Sequence, residues 1–170
     1  AIYTLGVFVQ ANFGGRNDLL ISGIPVGREI QGFKPILNDP KRKDGSVIII
    51  IATDAPLLPS QLKLVARRAA MGIARTGSFA HNGSGDIFFA FSTATPINNV
   101  KGTHQQWNVL SKDALDAVFK ATVEATEESV INALVGAETM TGLNGNTFYA
   151  IPHDQVKAIL RKYNRLVEPK

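Results

Sequence analysis

Asp44-Gly45-Ser46-Val47-Ile48-Ile49-Ile50-Ile51-Ala52-Thr53-Asp54 carries a charged loop through a Gly-Ser step into an unbroken apolar run. Five consecutive branched aliphatics, Val47 to Ile51, leave no polar side to turn towards water, so the run predicts a strand buried on both faces. Ser46 stands at its mouth. Glycine before serine lets the backbone take conformations closed to other residues, and a strand end can hold a hydroxyl rigidly. The local pattern fits two readings: ordinary loop-to-strand punctuation, or a cleavage site that exposes a catalytic N-terminal serine.

Working outward, 170 residues with 45% hydrophobic and 19% charged content are those of an ordinary globular domain with a sizeable core. No apolar stretch approaches a membrane span, and Ala1 to Gln10 lacks the basic flank and long apolar centre of a secretory signal. The absence of an initiator Met is that of a fragment or a processed chain. Zero cysteines exclude disulfides and thiolate metal sites without assigning a compartment. The net charge of +4 is spread thinly. Its densest cluster, Lys41-Arg42-Lys43, is offset by Asp39 and Asp44, whereas a nucleic-acid surface needs a longer basic stripe interleaved with aromatics.

Tyr3 to Gln10 reads as a strand, with Tyr3, Leu5, Val7 and Val9 on one face and Phe8 on the other. The loop after it contains Asn12, either a turn former or an amide directed into a site. Leu19 to Ile24 predicts another short strand, Pro25 to Arg28 a turn, and Pro35 to Ser46 a surface connection where a protease-accessible or self-cleaving bond would belong. A helix from Pro59 to Arg75 follows from its N-terminal proline and the spacing of Leu62, Val65, Ala66, Ala69, Ala70 and Ile73, with Gly77 as its left-handed cap. Ser78 to Gly85 is a small-residue loop leading into a second apolar strand, Asp86 to Thr93. Period-two geometry puts Ser84 and Asp86 on one side of it. Asn98 to Trp107 is irregular. Ser111 then caps a helix from Lys112 to Val135, with Leu115, Val118, Phe119, Thr122, Val123, Thr126, Val130, Ile131 and Leu134 as its buried stripe and its acidic residues as a solvated face. Met140 to Thr147 reads as a polar loop, and Pro152 to Tyr163 as a last helix. His81, His104 and His153 never reach a metal-ligand spacing.

Together, residues 44–59, Ala66-Arg67-Arg68-Ala69-Ala70-Met71-Gly72-Ile73-Ala74-Arg75-Thr76-Gly77 and Asn82-Gly83-Ser84-Gly85-Asp86-Ile87-Phe88 closely resemble the DmpA family of L-aminopeptidase/D-Ala-esterase/amidases and β-peptidyl aminopeptidases. The resemblance extends to Gln10-Ala11-Asn12-Phe13-Gly14 and Met140-Thr141-Gly142, so it spans nearly the whole chain. It implies an α+β fold, a four-layer αββα sandwich of the DmpA/ornithine acetyltransferase-like kind, with the two apolar strands in stacked central sheets beneath covering helices. It also implies that a precursor cuts itself between Gly45 and Ser46. Residues 1–45 would then end the larger subunit, whose remainder lies upstream of Ala1, and 46–170 would form the smaller one. Ser46 matches the nucleophile, Ser84 and Asp86 the family's Ser-Gly-acid motif, and Asn12 the asparagine credited with helping to form the oxyanion hole. Some members carry Glu where this chain has the shorter Asp86.

A serine hydroxyl needs a base, and an N-terminal amine, with a reference pKa of about 8, is a base on the nucleophile itself. The implied activity is a self-processing serine aminopeptidase acting on short peptides, amides or esters, with no cofactor, no metal, no nucleic acid and no membrane partner. The implied assembly is a homo-oligomer of αβ units in the cytoplasm, a periplasmic location remaining open. Two rivals stand beside it: an uncleaved structural or interaction domain, and an acyltransferase like the ornithine acetyltransferases, whose threonine nucleophile argues against that reading of Ser46.

Overall fold

The apolar run forms strand β2 (Ser46–Thr53) at the centre of a three-stranded sheet, between β1 (Leu5–Asn12) and β3 (Ile87–Ser92). β1 runs antiparallel to β2, pairing Leu5 with Thr53 and Asn12 with Ser46. β3 runs parallel to β2, and helix α2 (Pro59–Arg75) makes the crossover between them. The computed structural model describes residues 1–38, 45–94 and 107–167. Lys41-Arg42-Lys43 and its flanking aspartates, His104 and all but the last residue of the irregular stretch from Asn98 lie outside them.

Alternation along β2 gives the sheet two unlike faces. Val47, Ile49 and Ile51 are wholly buried beneath α2 and the long helix α3 (Leu115–Gly136), in one core with Val65, Ala69, Ile73, Leu115 and Val130. The other face is bare among the described residues, with Phe8 63% exposed, Ile48 39% and Phe89 57%. Burial on both faces is therefore corrected: helices cover one side only. The two apolar strands are also neighbours in a single sheet rather than members of two stacked ones; among the described residues that three-stranded sheet carries the helical cover, and the other sheet is a small two-stranded one.

The helices follow the sequence closely. α2 has the predicted limits, and Gly77 takes φ of +99° with its amide bonded to Ala74 O. A side chain there would also strike Asp18 O, since a Cβ would come within 1.7 Å of it. α3 is anchored to β1 by Ser129 Oγ, which donates to Val7 O at 3.1 Å. Ser111 does not cap it by its side chain; a 3-10 turn, Lys112–Ala114, leads into the helix instead. The acidic face is only partly solvated, because Glu127 pairs with Arg75 of α2 at 2.7 Å.

Three local expectations change. Leu19 to Ile24 is a tight turn with a single Ile21–Ile24 bridge, while the predicted turn at Pro25 winds into the short helix α1 (Val26–Glu29). The Met140 loop is a hairpin, β4 (Met140–Thr141) and β5 (Thr147–Phe148), closed through Asn144 at φ 58° and Gly145 at φ 71°. The last helix, α4 (His153–Lys162), buries Ile159 and Leu160 in a second core with Ile21, Val26 and Ile30.

Candidate active site

The sequence-predicted residues meet at one end of the central sheet. Asn12 and Ser46 are the terminal pair of the β1–β2 ladder. Directly opposed residues share a face, with Cβ atoms about 4.5–5.5 Å apart, and alternation assigns this pair to the open face that also carries Phe8 and Ile50. Asn12 is exposed and Ser46 half-buried.

Gly45 is held tightly against β1. A Cβ there would lie 2.7 Å from Asn12 O and 3.3 Å from Phe13 Cα, both backbone atoms that cannot rotate aside. Glycine is therefore required by close approach rather than by a left-handed φ. The carbonyl ahead of Ser46 is thus pinned beside the residue matched to the oxyanion hole.

Ser84 and Asp86 approach from the β3 side. A turn, closed by Ser84 N donating to His81 O at 2.8 Å, delivers Ser84 just ahead of the strand. Its Oγ donates to Asp86 Oδ1 at 2.5 Å, and the same carboxylate oxygen accepts from the Val47 amide at 3.1 Å. Asp86 thereby extends the β2–β3 ladder by one bond with a side-chain acceptor. The pair is fastened to the residue after Ser46, and Gly85 lies alongside, where a Cβ would sit 3.9 Å from Ser46 Cβ. Because the Ser84 proton is given to Asp86, the Ser84 oxygen keeps its lone pairs free to accept from another donor.

A cleft of about 510 Å³ opens beside this pair, walled by α2, Phe79, His81, Ser84, Asp86 and Phe88. Another cavity, about 350 Å³, lies at the opposite end of the β1–β2 ladder between Leu5, Thr53 and Leu110, and contains none of the predicted site residues. Among the described residues no group of three or more His, Asp or Glu is arranged to hold a metal ion, and no helix is long and apolar enough to cross a membrane. Two features were not legible beforehand. The Val47 amide as a partner of Asp86 depends on a parallel pairing between distant segments, and the crowding at Gly45 depends on where β1 ends.

The fold is that of an N-terminal-nucleophile (Ntn) hydrolase. The chain matches the L-aminopeptidase D-Ala-esterase/amidase of Ochrobactrum anthropi, described as a prototype for the serine aminopeptidases and a new variant among the Ntn hydrolase fold. The TM-score is 0.86 at 40% identity, covering 97% of this chain and 45% of that one. Within that class, the chain belongs to peptidase family S58, whose model matches residues 1–148. It is 46% identical over 180 residues to the beta-peptidyl aminopeptidase BapA of Sphingosinicella microcystinivorans, covering 99% of this chain and 46% of that protein. It is 44% identical over 171 residues to BapA of Sphingosinicella xenopeptidilytica, covering 94% of this chain and 42% of that protein. The chain thus spans less than half the length of these curated relatives. The resemblance read from the sequence is borne out at the level of family and fold.

Proposed function

We propose that this chain carries the nucleophile, the activating pair and one oxyanion donor of a self-processing serine aminopeptidase, cut between Gly45 and Ser46. The observation that carries the reading is that one end of the central sheet holds Asn12 paired with Ser46, Gly45 crowded against Asn12, and the Ser84–Asp86 pair bonded to the amide of Val47, the residue after Ser46. The complete protein would then consist of a larger piece ending at Gly45 and a smaller piece beginning at Ser46. The rest of the larger piece is the partner that covers the bare sheet face bearing Phe8, Ile48 and Phe89, supplying the second sheet of the αββα sandwich.

The chemistry follows from what each group can give or take. In the continuous chain the Ser46 nitrogen is an amide and has no basic lone pair. Attack of the Ser46 hydroxyl on the Gly45 carbonyl carbon, followed by hydrolysis of the resulting ester, leaves a carboxyl on Gly45 and an amine on Ser46. That amine accepts the hydroxyl proton when Ser46 attacks a substrate carbonyl, and returns a proton to the leaving amine or alcohol. Ser84, its own proton directed to Asp86, accepts a hydrogen bond from Ser46 and holds the amine in place. Asn12 donates its side-chain amide to the oxygen that becomes negative, a contribution of about 3–4 kcal/mol in comparable sites. Water then releases the acyl group from Ser46.

Short peptides, amides and esters with a free N-terminus are the substrate class. The decisive experiment is intact-mass analysis of the complete protein alongside a panel of such substrates, comparing the parent with Ser46→Ala. Two pieces meeting at Gly45/Ser46, turnover by the parent and neither cleavage nor turnover in the variant are expected. An uncut parent with full peptidase activity would refute the N-terminal nucleophile, and an uncut inactive one would favour a structural domain.

A further inference from the structure

The hairpin β4–β5 lies on the far side of the junction in sequence, yet its polar atoms are spent on the segment just ahead of it. Ile36 and Thr147 exchange both backbone hydrogen bonds, each at 2.9 Å, so Ile36 joins the hairpin through one antiparallel bridge. Asn38 then makes two further contacts. Its amide donates to Asn146 Oδ1 at 2.7 Å, and its side-chain Nδ2 donates to Asn144 O at 2.6 Å. The loop is shaped to present those acceptors. Asn144 and Gly145 take left-handed φ values, Gly142 N donates to Asn146 O at 2.8 Å, and a Cβ on Gly145 would come within 3.3 Å of Asn38 Nδ2. This accounts for the Gly142-Leu143-Asn144-Gly145-Asn146 stretch, which neither the core nor the active site uses.

We infer that the hairpin is a clamp that positions the junction for self-cleavage, with Asn146 and Asn38 as its positioning residues. The inference rests on the proposed cut at Gly45–Ser46. The connection to the scissile bond is then held at two points: at Asn38 by the hairpin, and at Gly45 by its approach to Asn12 and Phe13. Holding the segment at both points limits how far residue 45 can drift from its seat against β1, which lowers the entropic cost of reaching a reactive geometry at the Gly45–Ser46 bond. The clamp touches neither Ser46 nor the Ser84–Asp86 pair. It therefore acts on processing and leaves turnover by the processed enzyme unaltered. Its partners lie on opposite sides of the cut, so it also tethers the end of the upstream piece once the bond is broken.

The test follows cleavage of the complete protein by intact mass after pulsed expression, for the parent, Asn146→Ala, Asn38→Ala and Asn146→Asp. Losing one such hydrogen bond in each alanine variant should slow cleavage by about three- to tenfold. Asn146→Asp, which keeps an acceptor for the Asn38 amide, should restore most of the rate. The matured alanine variants should show the parent's kcat and KM, which a general loss of structure would not allow. Alanine variants that cleave at the parent rate would overturn the clamp while leaving the cut in place. A parent that never cleaves would overturn the cut and the clamp with it.

Discussion

Replacing Gly45 by alanine tests the geometry of the junction more sharply than removal of the nucleophile does. The added carbon would lie 2.7 Å from Asn12 O, about 0.8 Å inside an ordinary contact separation of about 3.5 Å, and would press on Phe13 Cα at 3.3 Å as well. Both obstacles are backbone, so the relief must come from displacement of residue 45 and the carbonyl it carries. A displacement approaching 1 Å costs a positioned reaction about a hundredfold, or about 2.7 kcal/mol. Self-cleavage of Gly45→Ala should therefore slow by about ten- to hundredfold. The fold should survive, because residue 45 precedes the buried strand, and the melting temperature should fall by no more than about 4 °C. The assay is a time course of intact mass after pulsed expression. Its control is the same variant produced as two separate pieces meeting at 45/46, where residue 45 is a chain end that can move aside and turnover should match the parent. Cleavage of Gly45→Ala at the parent rate would refute the argument that close approach to β1 positions the scissile carbonyl.

Ser84→Ala and Asp86→Asn, assayed with Ser46 already exposed, should each lower kcat much more than they raise KM, since the pair assists bond-making rather than substrate binding. The double variant should be little worse than the poorer single one, because Ser84 Oγ and the Val47 amide share Asp86 Oδ1 and the group acts as a unit; single variants within about twofold of the parent, or about 0.4 kcal/mol, would reduce the pair to strand-end structure. Far from the site, Glu29 accepts from Tyr163 Oη at 2.5 Å and Lys162 Nζ at 2.9 Å, which hold its carboxyl below the ordinary value of 4.5. A lowered acid pKa contributes stability that is present above the ordinary value and lost as pH falls through the lowered one, so acid should weaken the hold of α1 on α4. Glu29→Gln should flatten that part of the melting-temperature profile on the acid side, and an unchanged acid profile would show that the contact contributes nothing.

Much of this architecture is legible because it is local. The 3.6-residue spacing of Val65, Ala69 and Ile73 and the proline at the start of α2 specify a helix and its buried side without reference to anything distant. Gly77 ends that helix for a reason contained in its own backbone. The period-two relation of Ser84 and Asp86 is equally local, and the two side chains do bond to one another. What could not be read depends on partners. The crowding at Gly45 is set by the Asn12 carbonyl across a ladder, and the Asp86 contact with Val47 by a crossover through α2. The Met140 stretch reads as a polar loop because each strand of its hairpin is only two residues long and the further bridge it makes is to distant Ile36.

The overprediction at Ile48 is of another kind, and it bears on function. An uninterrupted run of branched aliphatics reports the burial a strand requires, whereas it carries no information about which piece of chain supplies the cover. Helices α2 and α3 satisfy that requirement for Val47, Ile49 and Ile51, while Ile48, Phe8 and Phe89 remain exposed. Ser46 and Asn12 have the same parity as those exposed residues, so the proposed nucleophile and oxyanion donor open onto the uncovered face. Under the proposed two-piece architecture, the layer that buries Phe8, Ile48 and Phe89 also closes over Ser46. Covering the sheet and drying the site would then be one event. A polar substitution such as Phe89→Ser, three residues beyond Asp86 and on the opposite face by alternation, should therefore weaken association of the two pieces and lower activity together. Loss of activity with association intact would separate the two and disprove the coupling.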